Sequence, residues 1–191
     1  MSRRRRRWFA LGIAAAAAVV SAQLAGAGQA GAAPASTAAA RIVYYLHVAG
    51  LVDETPTPAQ QAIIDASAPL VQERVQLLGE VPELLGFLFR DEVAYHEDAL
   101  ASLPTNTGEV LVASVGALEL VPDAEFTAAA VQEALSAALI TGLELKPRVA
   151  YTPLRVALSG RRISPPLFES MELLGKAESI RRLGALVDHQ R

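Results

Sequence analysis

The sequence predicts an all-α protein: two small helical bundles following a signal-like or disordered N-terminal leader. Three observations predict it. Apolar residues make up 52 % of the 191 residues but aromatics only 5 %, so alanine and leucine, strong helix formers without β-branching, must supply the core. Beyond residue 40, apolar positions recur at steps of three and four, the period of a helix with one buried face. No segment alternates strictly between apolar and polar, as a half-buried strand would.

Residues 1–40 read as a targeting leader. Arg3 to Arg7 form a positive start, residues 8–20 are apolar and alanine-rich, and small residues before Pro34 offer several small-x-small cleavage options. Arg6-Arg7-Trp8-Phe9 resembles the core of a twin-arginine export signal. As a span of about 20 residues the segment is marginal, since alanine and glycine give little transfer energy and Gln23 and Gln29 interrupt it. It reaches a membrane only as an uncleaved anchor. Arginine, alanine and glycine in such a run are also what a GC-rich genome yields when translation starts upstream of an older frame. Both readings put the segment outside the folded body, with Gly, Ala, Ser and Pro at 25–40 as a flexible joint.

The body follows in order. Residues 41–52 carry Ile42, Val43, Leu46, Ala49 and Val52 at helical spacing, with Gly50 near the end. Pro56 and Pro58 break the pattern, and residues 59–67 form a short helix. Pro69 opens another, at the position where a proline's missing N–H is not needed; Leu70, Val71, Val75, Leu77 and Leu78 are its buried face. Residues 79–82 are a break, 83–89 are apolar, and Asp91 and Glu92 mark a polar loop. Leu103-Pro-Thr-Asn-Thr-Gly108 is turn chemistry and sets the internal boundary, giving bundles at 41–105 and 106–191. Residues 109–121 are β-branched enough to rival a strand, but a run of that length without a strong breaker favours a helix. Thr127 caps a helix running to Thr141, closed by Gly142. Residues 146–148 connect to a short segment at 153–158 that ends at Gly160. Ser164-Pro165-Pro166 starts a helix over 167–174, stopped by Gly175. A last helix carries Ile180, Leu183, Leu186 and Val187.

Charge and chemistry narrow the function. The net charge of −3 is the sum of unlike zones. Residues 1–40 hold five arginines and no acid; 41–145 hold three basic and sixteen acidic residues; 146–191 hold nine basic and four acidic. There is no cysteine, which excludes disulfides and thiolate metal sites. His47, His96 and His189 lie far apart, none with a second ligand at helical spacing, so they read as surface or satisfied histidines and no metal site is expected. No glycine-rich phosphate loop and no Ser-His-Asp constellation occurs. A binding module is the better class than an enzyme.

The informative stretch is 146–176, KPRVAYTPLRVALSGRRISPPLFESMELLGK. It combines cations at Lys146, Arg148, Arg155, Arg161, Arg162 and Lys176 with a helix start at Ser164, two rigid prolines, and apolar Leu167 and Phe168. Unstacked bases of a nucleic-acid loop are held with such a kit: cations on phosphates and base edges, a helix N-terminus for anions, apolar groups against the base. The plainer reading is a helix–turn–helix with a proline start and glycine stops.

Written as KPR-x-x-(Y/F)-x-P-(L/V)-R-V-A-(L/V)-(S/T)-G and then SPPLFE-x-(M/L)-E-x-L-G-(K/R), this stretch resembles the C-terminal signature of bacterial glutamyl-tRNA synthetases. APLVQERVQLLGEVPELLGFLF at 68–89 and RIVYYLHVAGLV at 41–52 are similar to that family's preceding helical region, in the family's order. The wording is nearest to actinobacterial forms. The resemblance implies an all-helical anticodon-binding region in two subdomains, with glutamate tRNA as partner and glutamine tRNA as a second one in less discriminating members. It implies contacts to the anticodon from Arg155, Ser164, Pro165 and Leu167, a further contact from Arg74 in the first subdomain, and phosphate contacts from Arg161 and Arg162. It implies a cytoplasmic location, at odds with the leader. Neither the HIGH-like nor the KMSKS-like motif occurs in the chain. ATP and magnesium, which serve the full-length enzyme, are therefore not expected as cofactors here, and the chain alone should not charge tRNA. The competing expectation is an exported helical protein derived from that region without tRNA binding.

Overall fold

The computed structural model describes residues 35–72 and 78–190. The leader's residues 1–34 and Arg74, Val75 and Leu77 lie outside the described residues. The described residues form nine α-helices and no strand, as the composition predicts. They divide into two compact units, one ending at Asp91 and the other starting at Glu92. The turn tract at 103–108, where turn chemistry places the boundary, is internal to the second unit and joins two of its helices.

The first unit packs α1 (Ala35–Val48), α2 (Pro58–Gln72) and α3 (Val81–Leu85) together. Ile42, Leu46, Ile63, Ile64, Val71, Val81 and Leu85 form its core. Residues 35–40, assigned by composition to a flexible joint, are the first turns of α1. Gly50 closes that helix at φ +70°. Its N–H donates to His47 O at 2.8 Å and Leu51 N–H donates to Leu46 O at 2.9 Å, the paired closure that a left-handed glycine permits. α2 starts at Pro58 because Thr57 and Gln60 cap each other. Gln60 N–H donates to Thr57 Oγ1 at 3.3 Å and Thr57 N–H donates to Gln60 Oε1 at 2.9 Å. Pro69 does not open a new helix; it sits in the last turn of α2. It removes only the bond to the carbonyl of Asp65, a residue on the exposed side, while Ile63, Ile64, Ser67 and Val71 hold the buried side in register. Pro82 likewise begins a helix rather than a break, standing in the first turn of α3.

The second unit holds α4 (Glu97–Ala101), α5 (Thr107–Glu119), α6 (Ala128–Leu135), α7 (Pro147–Ser159), α8 (Leu167–Leu174) and α9 (Lys176–His189). α9 packs on α5, α7 and α8, and α6 packs on α8. Val110, Leu111, Leu118, Val131, Leu135, Leu139, Leu154, Met171, Leu183 and Leu186 fill the interior, each worth about 1.5–3 kcal/mol of burial. Thr127 caps α6, its Oγ1 accepting from Ala130 N–H at 3.3 Å. The helix does stop at Gly142, as expected, but its end is not α-helical: after Leu135 it winds as a π-helix over Ser136–Gly142. The chain then turns at Glu144, which takes φ +52°, a conformation few non-glycine residues adopt. α7 starts at Pro147 and not at Pro153, absorbing the expected connector. Pro147 suits the first turn, and the apolar face through Ala150, Leu154 and Ala157 carries the helix across the buried Pro153.

Candidate nucleic-acid interface

α7 holds Arg155 on an amphipathic frame. Ala150, Leu154, Ala157 and Leu158 face the interior, which leaves Arg148, Thr152 and Arg155 along the opposite side at steps of three and four. The helix stops at Gly160, with φ +72° and its N–H on Val156 O at 2.8 Å. A Cβ there would lie 2.0 Å from Ala94 O, so the strap at 93–96 lies directly on the helix end. His96 N–H then donates to Gly160 O at 2.9 Å. Arg161, Arg162 and Ile163 turn away immediately after.

These pieces enclose a cavity of about 520 Å³ lined by His96, Asp98, Ser102, Arg148, Thr152, Arg155, Arg161, Arg162 and Ile163. Four guanidinium groups and one carboxylate make its wall cationic. Ile163 is 77 % exposed at that wall, an apolar side chain beside two arginines. Such a concavity suits an anionic ligand with a flat apolar portion.

The residues expected at the site fall into two groups. Arg155, Arg161 and Arg162 line the cavity. Arg155 Nη1 donates to Ser164 Oγ at 3.4 Å and to Pro165 O at 3.3 Å, which ties α7 to the start of the next segment. Ser164, Pro165 and Leu167 are buried, Leu167 to 2 % exposure. They support the wall from within. Ser164 also does not start α8: the capping position is Pro166, and no side chain caps it. The hydroxyl of Ser164 donates instead to Pro165 O at 3.2 Å. Arg74 lies outside the described residues. Missed in the sequence were His96, Asp98 and Ser102, which reach the cavity across more than forty residues of chain and left no local signal. Arg148 and Thr152 did leave one, seven and three residues before Arg155 on one helix face. That spacing is hidden when the helix is taken to begin at Pro153 instead of Pro147.

The cations are not equivalent. Lys176 Nζ donates to Val121 O at 2.7 Å and Glu119 O at 3.0 Å and pairs with Asp123 at 3.2 Å. It thereby closes the C-terminal end of α5. Arg182 is 1 % exposed and donates from Nη1 to Leu158 O at 2.7 Å and from Nε to Glu178 Oε1 at 2.6 Å. Burial draws its guanidinium below the ordinary value, against the support of Glu178. Burial works to raise the Glu178 carboxyl, yet hydrogen bonds from Arg181 and Arg182 hold it below the ordinary range. Burial likewise lifts the Tyr95 hydroxyl, opposed by Arg182 and Arg181. Among the described residues no group of three or more His, Asp or Glu side chains could hold a metal ion, and no helix is long and apolar enough to cross a membrane.

Residues 37–187 match the family model described as an anticodon binding domain. The chain belongs to the anticodon-binding domain family. Its relatives include the glutamate–tRNA ligase of Leifsonia xyli, 58 % identical over 147 residues that cover 76 % of this chain and 30 % of that protein. The glutamate–tRNA ligase of Clavibacter sepedonicus is 55 % identical over 150 residues, 78 % of this chain and 30 % of that protein. The fold is also that of a glutamate tRNA ligase from Elizabethkingia meningosepticum solved in complex with its amino acid. It is 18 % identical with a TM-score of 0.67, over 83 % of this chain and 30 % of that one. This anticodon-binding domain chain thus spans about 30 % of the length of the curated relatives it matches. Both bodies of quoted motif, 41–52 with 68–89 and 146–176, fall inside the family match.

Proposed function

We propose that the chain is the tRNA-binding region of a glutamate–tRNA ligase and that its second unit binds the anticodon loop of glutamate tRNA. The observation that carries this reading is the cationic cavity at the end of α7, where Arg148, Arg155, Arg161 and Arg162 meet an exposed Ile163. In a single-stranded loop the bases are splayed and the phosphates turn outward. Arg161 and Arg162 take phosphate oxygens, and Ile163 offers its side chain to a base face. Arg155, a fixed fork of donors, reads a base edge while its bonds to Ser164 and Pro165 hold the turn. Pro165 and Leu167 act through the shape they give that turn, and Arg74 contributes from the first unit. Whether glutamine tRNA also binds rests on the same contacts.

Aminoacylation is proposed for the longer relatives' kind of enzyme and not for this chain by itself; tRNA binding here needs neither ATP nor a bound metal. Acidic residues elsewhere in the chain set the affinity at about micromolar or weaker at physiological salt. The test is titration of the chain with glutamate tRNA and with an anticodon-substituted version over a range of salt, beside Arg155→Ala. Stronger binding to the native anticodon, lost in the variant by about tenfold, supports the reading. Equal weak binding to both RNAs by a folded chain would defeat it.

A further inference from the structure

The end of α7 is where three parts of the second unit meet, and a part-buried ion pair from α9 reaches it. The last carbonyls of a helix have no partner within it. In α7 one of them, Leu158 O, receives Nη1 of Arg182 from α9 at 2.7 Å. That guanidinium is 1 % exposed and is oriented by Glu178, whose carboxylate takes its Nε at 2.6 Å and grips Arg181 through Nε at 2.7 Å and Nη2 at 2.6 Å. Two residues beyond Leu158, Gly160 carries the strap at 93–96 on its unsubstituted Cα and accepts the N–H of His96 at 2.9 Å. The next three residues are the Arg161–Ile163 wall of the cavity. A shift at Leu158 therefore moves the strap and the wall together.

Packing alone does not require this device. An arginine stripped of water costs several kcal/mol to bury, and an apolar side chain of similar volume fills such a place at least as well. A guanidinium differs in being directional: it fixes both the carbonyl it meets and the carboxylate behind it in one plane. Placed at a helix C-terminus it also meets the negative end of the helix dipole.

We infer that Arg182, held by Glu178, is a positioning residue for the cationic cavity: it touches no RNA and sets where Arg161 to Ile163 present their side chains. The inference rests on the proposed tRNA-binding role of that cavity. It makes Arg182 important for affinity and discrimination, while a purely structural arginine would matter for stability only.

The experiment uses the full chain with wild type, Arg182→Met, Arg182→Lys, Glu178→Gln and Arg155→Ala. It measures thermal stability, affinity for glutamate tRNA, the slope of affinity against salt, and amide hydrogen exchange. Arg182→Met is expected to stay folded and to lose affinity by roughly tenfold, as loosened support of a site does. Its salt slope should be unchanged, because no phosphate contact is removed. Faster exchange should be confined to the strap and to 160–163. Arg182→Lys, which keeps the charge and one bond, should recover part of the loss. Should Arg182→Met fail to fold, Glu178→Gln decides: it keeps an isosteric hydrogen-bonding partner for the guanidinium but loosens its aim at some cost in stability, and it is expected to lower affinity by a few-fold with the same unchanged slope. Folded variants that bind as wild type while Arg155→Ala does not would overturn the positioning role. Wild type binding no better than Arg155→Ala would instead overturn the proposed function beneath it.

Discussion

Residues 92–145 hold nine carboxylates and not one lysine or arginine, whereas 146–191 hold nine cations against four carboxylates. Both halves belong to the same compact unit. The acidic half contributes α4, α5 and α6 and leaves some helix-end groups for the basic half to meet. Lys176 caps the C-terminal end of α5, where the helix dipole is negative. Glu172 accepts Ala128 N–H at 2.8 Å at the N-terminal end of α6, where the dipole is positive. The basic half thus includes cations engaged in structure, such as Lys176 and Arg182, and cations facing a cavity, Arg148, Arg155, Arg161 and Arg162. A charge tally along the chain merges the two kinds. The lesson is that a basic C-terminal quarter is evidence for a ligand only after its capping cations are set aside.

Four measurements can break or sharpen that division. The largest effect belongs to the junction of the halves. Gly160→Ala should cost at least about 2 kcal/mol in chemical denaturation, since it adds left-handed strain and drives a Cβ into Ala94 O; a stable variant would mean the strap does not depend on that contact. Next come the cations themselves. Lys176→Met should lower stability by about 1–2 kcal/mol, the worth of a charged hydrogen bond left unmade, with tRNA affinity unchanged. Arg162→Ala should do the reverse, leaving stability within about 0.5 kcal/mol and reducing the salt slope by about one contact. If both variants move the same quantity, the division between structural and cavity cations is wrong. The third is acid unfolding. The Glu178 carboxyl titrates lower in the folded chain than in the unfolded one. The stability it lends is therefore whole above the unfolded-chain carboxylate pKa and drains away as pH falls through the folded value. Glu178→Gln should be less stable near neutrality and show a shallower acid limb; parallel limbs would remove the pair from the account. The smallest effect is a control. Leu120 is 85 % exposed, and Leu120→Gln should leave stability and binding within about 0.5 kcal/mol.

The helices were legible because their cores repeat at the helical period and their ends carry readable residues: Gly50, Gly160 and Gly175 at positive φ, Thr127 as a cap. The errors share a physical cause. Pro58, Pro69, Pro147 and Pro153 were read as punctuation, and each lies within a helix. Pro58 and Pro147 stand at the first helical position, where the missing N–H costs nothing; Pro69 and Pro153 each cost one hydrogen bond and one clash, which a buried apolar face can outweigh and a local reading cannot see. The capping pair Thr57 and Gln60 was in the sequence all along, at the spacing that names it. Of the candidate site, Arg155, Arg161 and Arg162 were singled out by residue type and by the family resemblance, while the helical spacing of Arg148 and Thr152 to Arg155 went unread. The strap with His96, Asp98 and Ser102 was not, since its approach depends on Gly160 lacking a side chain. The burial of Ser164, Pro165 and Leu167 was equally hidden, because a turn's inner and outer faces are decided by what packs behind it.

The π-helical close of α6 has a consequence for how the sequence can change in length. Leu143 N–H reaches Ala138 O, five residues back, at 3.1 Å. A π-turn contains one residue more than an α-turn needs. The Ser136–Gly142 stretch is therefore a built-in slack of one residue: deleting an alanine there restores an α ladder, while the same deletion in α7 or α9 would rotate every later side chain by about 100°, one residue's share of a 3.6-residue turn.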